Sequence, residues 1–292
     1  MAQPADRSGG LTNLQKRTLS AAVLLPVVIA AIVLGHPYFT AMVAVFAGAM
    51  AWEWTCVVAH ARVSSQTSPV PVPSARGWRA IAVVTIAPVV LVVLATGLGG
   101  LDTTAWIIIL LGVLATGVVA WPANGPKALW FMAGVVYVAV PVAALVAIRA
   151  EPTFGRAAVI WVIALVVAAD TGGYLVGRTV GGPKLAPRIS PNKTWSGLGG
   201  AVAGAALVGL LTAFVLNHTN VWMLTLISAV LGLLEQGGDL VESAFKRHFG
   251  VKDTSQIIPG HGGVLDRVDG LLAVVVAVVI ANEWAGGSVL AW

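Results

Sequence analysis

Long apolar runs separated by short polar segments dominate the chain from Leu19 onwards. Several runs approach the roughly 20 residues that a helix needs to cross a bilayer. They show no strict alternation of polar and apolar positions, which argues against a barrel. We therefore predict an all-α polytopic integral membrane protein with about nine transmembrane helices, since helices satisfy their own backbone groups in lipid. The predicted helices are Leu19–Gly35, Tyr38–Ala59, Ala80–Leu98, Thr104–Trp121, Ala128–Ile148, Ala157–Gly177, Gly197–Leu216, Val221–Leu240 and Gly270–Leu290.

Composition supports a membrane protein. The 292 residues are 58% hydrophobic and only 10% charged, whereas soluble domains carry about 25% charged residues. The mean hydropathy is +0.90 and the pI is near 9.7. A basic pI can indicate nucleic-acid binding, but here the positive charges lie in short loops between apolar runs. That placement favours attraction to anionic lipid headgroups, and we predict no nucleic-acid partner.

The distribution of Lys and Arg predicts the orientation. With a cytoplasmic N-terminus, fifteen of the seventeen Lys and Arg residues lie on the inner side, and only Arg149 and Arg156 lie outside. This agrees with the positive-inside rule. We expect a flexible cytoplasmic tail over 1–17, N-terminal transmembrane helices over 18–150, and a catalytic transmembrane region over 151–292 with its site facing the cytoplasm.

Acidic and basic residues concentrate near the C-terminus. On a helix, "EQGGDLVESAFKR" places its polar residues at spacings of three and four, so that they share one face. These residues are Glu235, Asp239, Glu242, Ser243, Lys246 and Arg247. Acidic groups at membrane depth are costly and need a partner or a metal ion. A stripe of internal salt bridges that serves packing is the alternative.

The next segment, "KDTSQIIPGHGGVLDRVD", combines a glycine-rich turn with two further acids. Gly262 and Gly263 allow the backbone to approach a ligand closely. Asp266 and Asp269 follow at the start of the last helix, where they could instead simply stabilise the helix dipole. Carboxylates on two helices at one membrane face favour an Mg²⁺ site, and the neighbouring cations suit phosphates. Those cations are Lys246, Arg247, Lys252 and Arg267.

A second polar cluster, "DTGGYLVGRTVGGPKLAPRISPNKTWSG", begins at Asp170 near the inner end of its helix. Its cations fit either a phosphate site or an ordinary positive-inside loop. Ser190 before a proline predicts a turn or a helix N-cap, and Thr194 or Ser196 could also cap or bind phosphate. His261 could move a proton or bind phosphate, although a lone histidine is more often structural.

The stretch "SAFKRHFGVKDTSQIIPGHGGVLDRVD" (Ser243–Asp269) resembles, over its whole length, the signature of the phosphatidate cytidylyltransferase family, also called CDP-diacylglycerol synthases. "GDLVES", "DTGGYLVGR" and "SPNKTWSG" are similar to further segments of that family. The resemblance is specific over about the last 120 residues, and the N-terminal half is similar only in hydropathy and helix order. It implies transfer of CMP from CTP to phosphatidic acid, giving CDP-diacylglycerol and pyrophosphate in phospholipid biosynthesis.

The resemblance also implies residue roles. Asp239 and Asp266 would bind Mg²⁺, and the family site has been associated with a second cation such as K⁺. Expected catalytic residues are Asp239, Asp266, Lys246, Arg247 and His261. Expected substrate-binding residues are Asp170, Ser190, Lys193, Thr194, Ser243, Lys252, Asp253, Gly262, Gly263, Arg267 and Asp269. A homodimer in the cell (plasma or inner) membrane, with its site on the cytoplasmic side and membrane lipids around it, is expected as well.

One segment departs from the family pattern. Many relatives carry Lys and Glu where this chain has Asn192 and Ser196, so the contacts of that segment with the nucleotide are less defined. Three other functions fit parts of the pattern. A cation transporter would place acids near the middle of several helices, a CTP-dependent lipid kinase would transfer the γ-phosphoryl group, and a scaffold would have lost activity. Glu53 and Glu283 have no assigned role.

Overall fold

A computed structural model describes residues 13–60, 76–217, 220–258 and 262–292. These described residues form nine α-helices, one short β-hairpin and two 3₁₀ turns. The helices are α1 Asn13–Leu34, α2 Tyr38–His60, α3 Arg76–Gly99, α4 Thr103–Asn124, α5 Ala128–Ala150, α6 Gly155–Thr179, α7 Trp195–Leu216, α8 Val221–His248 and α9 Leu265–Ala285. The strands are β1 Lys184–Ala186 and β2 Ser190–Thr194, and the 3₁₀ turns are Gly125–Lys127 and Val289–Ala291.

The helices confirm an all-α polytopic membrane protein. Within the described ranges, seven helical segments are long and apolar enough to cross a membrane, and α1 contributes a shorter apolar segment. One of the seven, Thr103–Ala150, contains both α4 and α5, which pack against each other and are separated by Gly125 with φ +53°. Many Leu and Val side chains on the helices are exposed, as lipid-facing residues would be. The number of crossings and the cytoplasmic N-terminus stay predictions.

Helix ends differ most from the prediction. α8 continues to His248, eight residues beyond the predicted end, and so carries the whole polar stripe on one helix. α9 begins at Leu265 and ends before Gly286, whose φ of +68° terminates it. The predicted helix Gly270–Leu290 was therefore placed five residues too late in the sequence at both ends. α1 begins at Asn13, inside the predicted tail 1–17. Residues 1–12 lie outside the described residues.

The hairpin was not predicted. Ser190 is the first residue of β2 and pairs with Ala186, so it does not cap a helix as one interpretation expected. Thr194 is the actual N-cap of α7, because its side chain accepts a hydrogen bond from the Gly197 amide at 3.1 Å.

Small residues bring the C-terminal helices close together. A Cβ atom on Gly200 of α7 would meet the carbonyl oxygen of Gly172 on α6 at 2.5 Å, and one on Gly232 of α8 would meet Ala205 of α7 at 2.7 Å. Helices in membranes commonly approach one another through such residues. α8 also packs on α9, where a Cβ on Gly270 would meet the Glu235 carboxylate at 2.6 Å. The polar faces of α6, α8 and α9 therefore meet.

Candidate active site

The polar face of α8 supplies most of the candidate site. α8 begins at an Asn220 cap that accepts hydrogen bonds from two backbone amides. Two turns of its C-terminal half then place Glu235, Asp239 and Glu242 towards α9 and α6, as the 3–4 spacing predicts. Glu235 and Glu242 are fully buried, whereas the Asp239 side chain retains 25% of its exposure.

Three carboxylates converge between α8 and α9. Asp239, Glu242 and Asp269, here called the acidic trio, each offer an oxygen, and these oxygens lie within 4.8 Å of one another. Oxygens that share one cation at about 2.0–2.6 Å can lie no farther apart than about 5 Å. The trio therefore has the spacing of a divalent-cation site. It contains Asp239 but not Asp266, the other expected Mg²⁺ ligand, and both assignments stay predictions.

Glu242 has few partners within the described chain. Lys246 contacts its Oε2, and its buried Oε1 accepts no hydrogen bond from the described residues. A buried carboxylate oxygen without a donor is expensive, and Asp239 and Asp269 beside Glu242 add like charge. A cation bound by the trio would remove both costs, so these residues fit a metal ion.

Asp266 lies next to the trio but in a different environment. Its Oδ1 accepts a hydrogen bond from Lys246 Nζ at 2.8 Å. Its Oδ2 accepts from the Thr254 amide at 2.9 Å, the Thr254 hydroxyl at 3.0 Å and the Gly263 amide at 3.0 Å. The side chain is 3% exposed. Asp266 thus holds the loop that precedes α9, and Lys246 links it to Glu242.

Glu53 holds the same loop from the opposite side. It is fully buried in α2 and accepts hydrogen bonds from the amides of Val264 and Leu265, both at 2.8 Å. The Ser255 hydroxyl also donates to it at 2.5 Å, and the Thr254 hydroxyl, whose shorter contact is with Asp266, lies 3.3 Å from it. Glu53 and Asp266, here called the loop anchor, therefore fix the signature loop between α8 and α9.

A polar cavity of about 530 Å³ lies beside the trio. Lys193 of β2 joins the two, because its Nζ contacts Asp239 at 2.5 Å and donates to Gln236 at 2.8 Å. Gln236 in turn donates to Glu235, whose carboxyl group lies beside that of Asp170. The lining residues are Asp170, Gly173, Tyr174, Gly177, Arg178, Lys184, Asn192, Lys193, Thr194, Gly197, Leu198 and Gln236.

This arrangement suits a polyanion. The cavity has two Lys side chains and one Arg side chain in its wall, and it ends at a group of carboxylates that can share a cation. Phosphoryl-type transfer depends chiefly on such positioning and charge neutralisation. The site can therefore align a phosphate chain between cations of the protein and a bound metal ion.

Comparison with known proteins places the chain in a family. The model of the cytidylyltransferase family matches residues 15–284. This chain belongs to the cytidylyltransferase family. Proteins named phosphatidate cytidylyltransferase from Brucella suis biovar 1 and Brucella abortus biovar 1 are each 35% identical over 263 residues, which is 90% of this chain and 91% of theirs. One from Staphylococcus epidermidis is 54% identical over 106 residues, 36% of this chain and 41% of its own.

In this cytidylyltransferase, the structure brings together part of the predicted site. Ser243 donates to Asp239 at 3.1 Å, within the same polar face. The residues that meet around the trio, the loop anchor and the cavity are Asp170, Lys193, Thr194, Asp239, Ser243, Lys246, Gly263, Asp266 and Asp269.

The other predicted residues lie at the edge of this centre. Arg247 is exposed and donates to the Ile189 carbonyl at 3.3 Å, which ties α8 to the hairpin that carries Ser190. Lys252 and Asp253 are exposed in the loop after α8, and Arg267 is exposed on α9. Gly262, with φ +88°, forms a β-bridge to Ile258. His261 lies outside the described residues. The roles of all these residues stay predictions.

Sequence reasoning missed four side chains of this site. Glu242 was assigned only to the polar stripe, although its 3–4 spacing from Asp239 already placed both on one face. Glu53 is a single acid in an apolar helix, which is itself a signal of a specific partner. Gln236 and Thr254 are uncharged and follow no sequence pattern that marks their contacts with Lys193 and Asp266.

Proposed function

We propose that this protein is a phosphatidate cytidylyltransferase that makes CDP-diacylglycerol and pyrophosphate from CTP and phosphatidic acid. The family, together with the name carried by relatives that align with 90% of the chain, supports this proposal. The observation that carries it is the juxtaposition of the acidic trio, Lys193 and the polar cavity at the ends of membrane helices. A soluble nucleotide and a membrane lipid can meet there.

The reaction assigned to the site is a displacement at the α-phosphorus of CTP. A phosphate oxygen of phosphatidic acid forms the new P–O bond, and the bond to pyrophosphate breaks. Asp239, Glu242 and Asp269 would hold Mg²⁺, which supplies charge neutralisation to the phosphates. Asp266, the second ligand expected from the resemblance, remains a proposed ligand. To bind Mg²⁺, its carboxylate would have to give up hydrogen bonds that it accepts in this structure. A second cation such as K⁺ is part of the same proposal.

The protein's own cations would orient the phosphates. Lys193 contacts Asp239 at the inner end of the cavity, so its ammonium group is placed to bind a phosphate that reaches the trio. Lys246 lies between Glu242 and Asp266 and would partly neutralise the negative charge of both carboxylates. The other expected contacts with phosphates or the base are Asp170, Ser190, Thr194, Ser243, Arg247, Lys252, Asp253, His261, Gly262, Gly263 and Arg267.

The side of the membrane and the assembly are also proposals. The positive-inside distribution favours a cell membrane protein whose N-terminus and active site face the cytoplasm. CTP is cytosolic, which agrees with that orientation. A homodimer is proposed from the family resemblance, and light scattering on the detergent-solubilised protein would test it. A monomer mass after subtraction of detergent would contradict the dimer.

A labelling experiment tests the reaction. Purified protein in detergent receives phosphatidic acid, Mg²⁺ and CTP labelled at either the α or the γ phosphate. Cytidylyl transfer puts α label in the lipid and γ label in pyrophosphate. Label from the γ position in the lipid would instead make the protein a kinase. No lipid label with folded protein would overturn the proposal. Asp239→Asn should be inactive, and Glu283→Gln, an exposed acid on α9, should be active.

A further inference from the structure

A second cavity, distinct from the polar one, lies between α1, α2, α5, α6 and α9 and measures about 320 Å³. Its walls are almost entirely apolar and include Met42 and Phe46 on α2, Leu145 on α5, and Leu271 and Val275 on α9. None of these side chains belongs to the trio, the loop anchor or the polar cavity. The chemistry of this wall suits a hydrocarbon chain.

The cavity begins at the signature loop. Ile258 and Val264 of that loop line it, and Arg267 is its only charged lining residue in the described part of the chain. Arg267 lies in the first turns of α9, between Asp266 of the loop anchor and Asp269 of the acidic trio. One exposed guanidinium group therefore stands at the end of the apolar cavity that is nearest to the candidate site.

The cavity runs along the helix axes. Arg267, Leu271 and Val275 are spaced by four residues and share a face of α9, which spans about 12 Å at the rise of an α-helix. On α2, the lining residues from Phe39 to Met50 span about 16 Å. Because these helices are apolar enough to cross the membrane, the cavity extends from the candidate site towards the opposite membrane face.

We propose that this cavity receives one acyl chain of the phosphatidic acid substrate, with Arg267 holding the lipid phosphate at its mouth. This inference rests on the proposed function and names the lipid subsite of that same reaction. A micelle or bilayer is as apolar as the cavity, so burial alone gives little affinity. The shape of the cavity instead determines which lipids fit, so the enzyme discriminates among phosphatidic acids by the length of their acyl chains.

Four tryptophan variants test the subsite in matched pairs. Leu271→Trp and Met42→Trp add bulk to two different walls of the cavity. Ile280→Trp on α9 and Val45→Trp on α2 add the same bulk at positions that are 54% and 72% exposed on the outer surface. Each full-length protein is assayed in detergent with phosphatidic acids whose acyl chains contain 6 to 18 carbons.

We expect the two cavity variants to lose at least about tenfold in kcat/KM for long chains relative to 6-carbon chains, since a misfit of one methylene costs roughly 10- to 200-fold in a filled pocket. The surface variants should keep the chain-length profile of the parent protein. A cavity variant with an unchanged profile, or one that loses all chain lengths equally, would overturn the subsite.

Retention of the lipid without turnover separates this inference from the proposed function. Native mass spectrometry of the detergent-released protein, without CTP, compares bound 18-carbon and 6-carbon phosphatidic acid. Selective loss of the 18-carbon lipid in the cavity variants supports the subsite even if the parent protein makes no CDP-diacylglycerol. Equal retention in all five proteins would overturn the subsite even if the reaction is confirmed.

Discussion

The acidic trio and the loop anchor are two groups of acids that differ in their partners. Asp266 accepts hydrogen bonds from four donors and Glu53 from three, mostly from the signature loop. In the trio, Glu242 has Lys246 as its partner within the described chain, and its Oε1 accepts no hydrogen bond there. The acids on α2, α8 and α9 thus differ in whether the chain supplies their donors.

Buried acids in a membrane protein differ in what compensates their charge. A buried carboxylate must be compensated, and the compensation can come from the chain or from a bound cation. Where the chain supplies all donors, the residue shapes the structure. Where it does not, the residue is available for chemistry. Substitutions should therefore affect stability at the anchor and metal-dependent turnover at the trio.

The largest effect is expected at the trio. Asp269→Asn removes one of three converging carboxylates, and turnover should fall about a thousandfold, since electrostatic stabilisation of the transferring phosphates weakens. The thermal unfolding midpoint should not fall, because a charge leaves a group of like charges. Label transfer and thermal unfolding of the detergent-solubilised protein measure the two effects. Glu283→Gln on the same helix is the control, and normal Mg²⁺-dependent activity of Asp269→Asn would remove Asp269 from the site.

At the anchor, Glu53→Gln should act mainly on stability. Glu53 accepts hydrogen bonds from two backbone amides and the Ser255 hydroxyl, whereas a glutamine amide has one acceptor oxygen and turns an NH₂ group towards the remaining donors. We expect a loss of about 3 kcal/mol, seen as a lower thermal unfolding midpoint. A stable Glu53→Gln protein that needs more Mg²⁺ would mean that Glu53 belongs to the metal site. The distinction between the loop anchor and the acidic trio would then be wrong.

Asp266→Asn distinguishes the two groups most directly. If Asp266 only positions the loop, turnover should fall about a hundredfold because the site is displaced, while the Mg²⁺ concentration for half-maximal rate stays constant. A titration of Mg²⁺ at saturating CTP measures this. A large rise in the Mg²⁺ requirement would make Asp266 a metal ligand, as the family resemblance implied, and would unite the anchor with the trio.

Much of the fold could be predicted because a bilayer crossing requires a long apolar run. The ends of α8 and α9 could not, since both helices continue past their apolar parts, into Asp239–His248 and back to Leu265. The hairpin was missed because three- and five-residue strands leave little periodicity in a segment rich in Pro and Lys.

The residues of the candidate site also divide into those that a sequence pattern indicated and those that it did not. Asp239, Lys246, Asp266 and Asp269 follow a regular spacing and a family signature, so sequence alone proposed them as site residues. Glu53 acts on amides more than 200 positions later in the chain. No local pattern contains such a contact, and only the packing of α2 against the start of α9 creates it.

Lys193 connects the trio to the cavity, and substitution of Lys193 should affect catalysis less than the changes at Asp269 and Asp266. Lys193→Met should raise the KM for CTP about tenfold, as expected when one charge-assisted contact of about 1.5 kcal/mol is lost. Lys193→Arg keeps the charge and should lie closer to the parent protein. Steady-state rates at varied CTP measure both. An unchanged KM in Lys193→Met would place the triphosphate outside this cavity.

Thr194 lies in the cavity wall but has the satisfied partners of an anchor residue. Its hydroxyl caps α7 by accepting from the Gly197 amide, and it shares a hydrogen bond with Ser196 at 3.0 Å. Thr194→Ala should therefore cost about 1 kcal/mol of stability, the usual value of an N-cap. The KM for CTP should stay unchanged, and Thr194→Ser should retain full stability. Thr194 was predicted from sequence to bind substrate. A raised KM with unchanged stability would show that a hydroxyl with satisfied hydrogen bonds can still bind substrate. The division between groups that stabilise the fold and groups that serve the reaction would then hold for carboxylates alone.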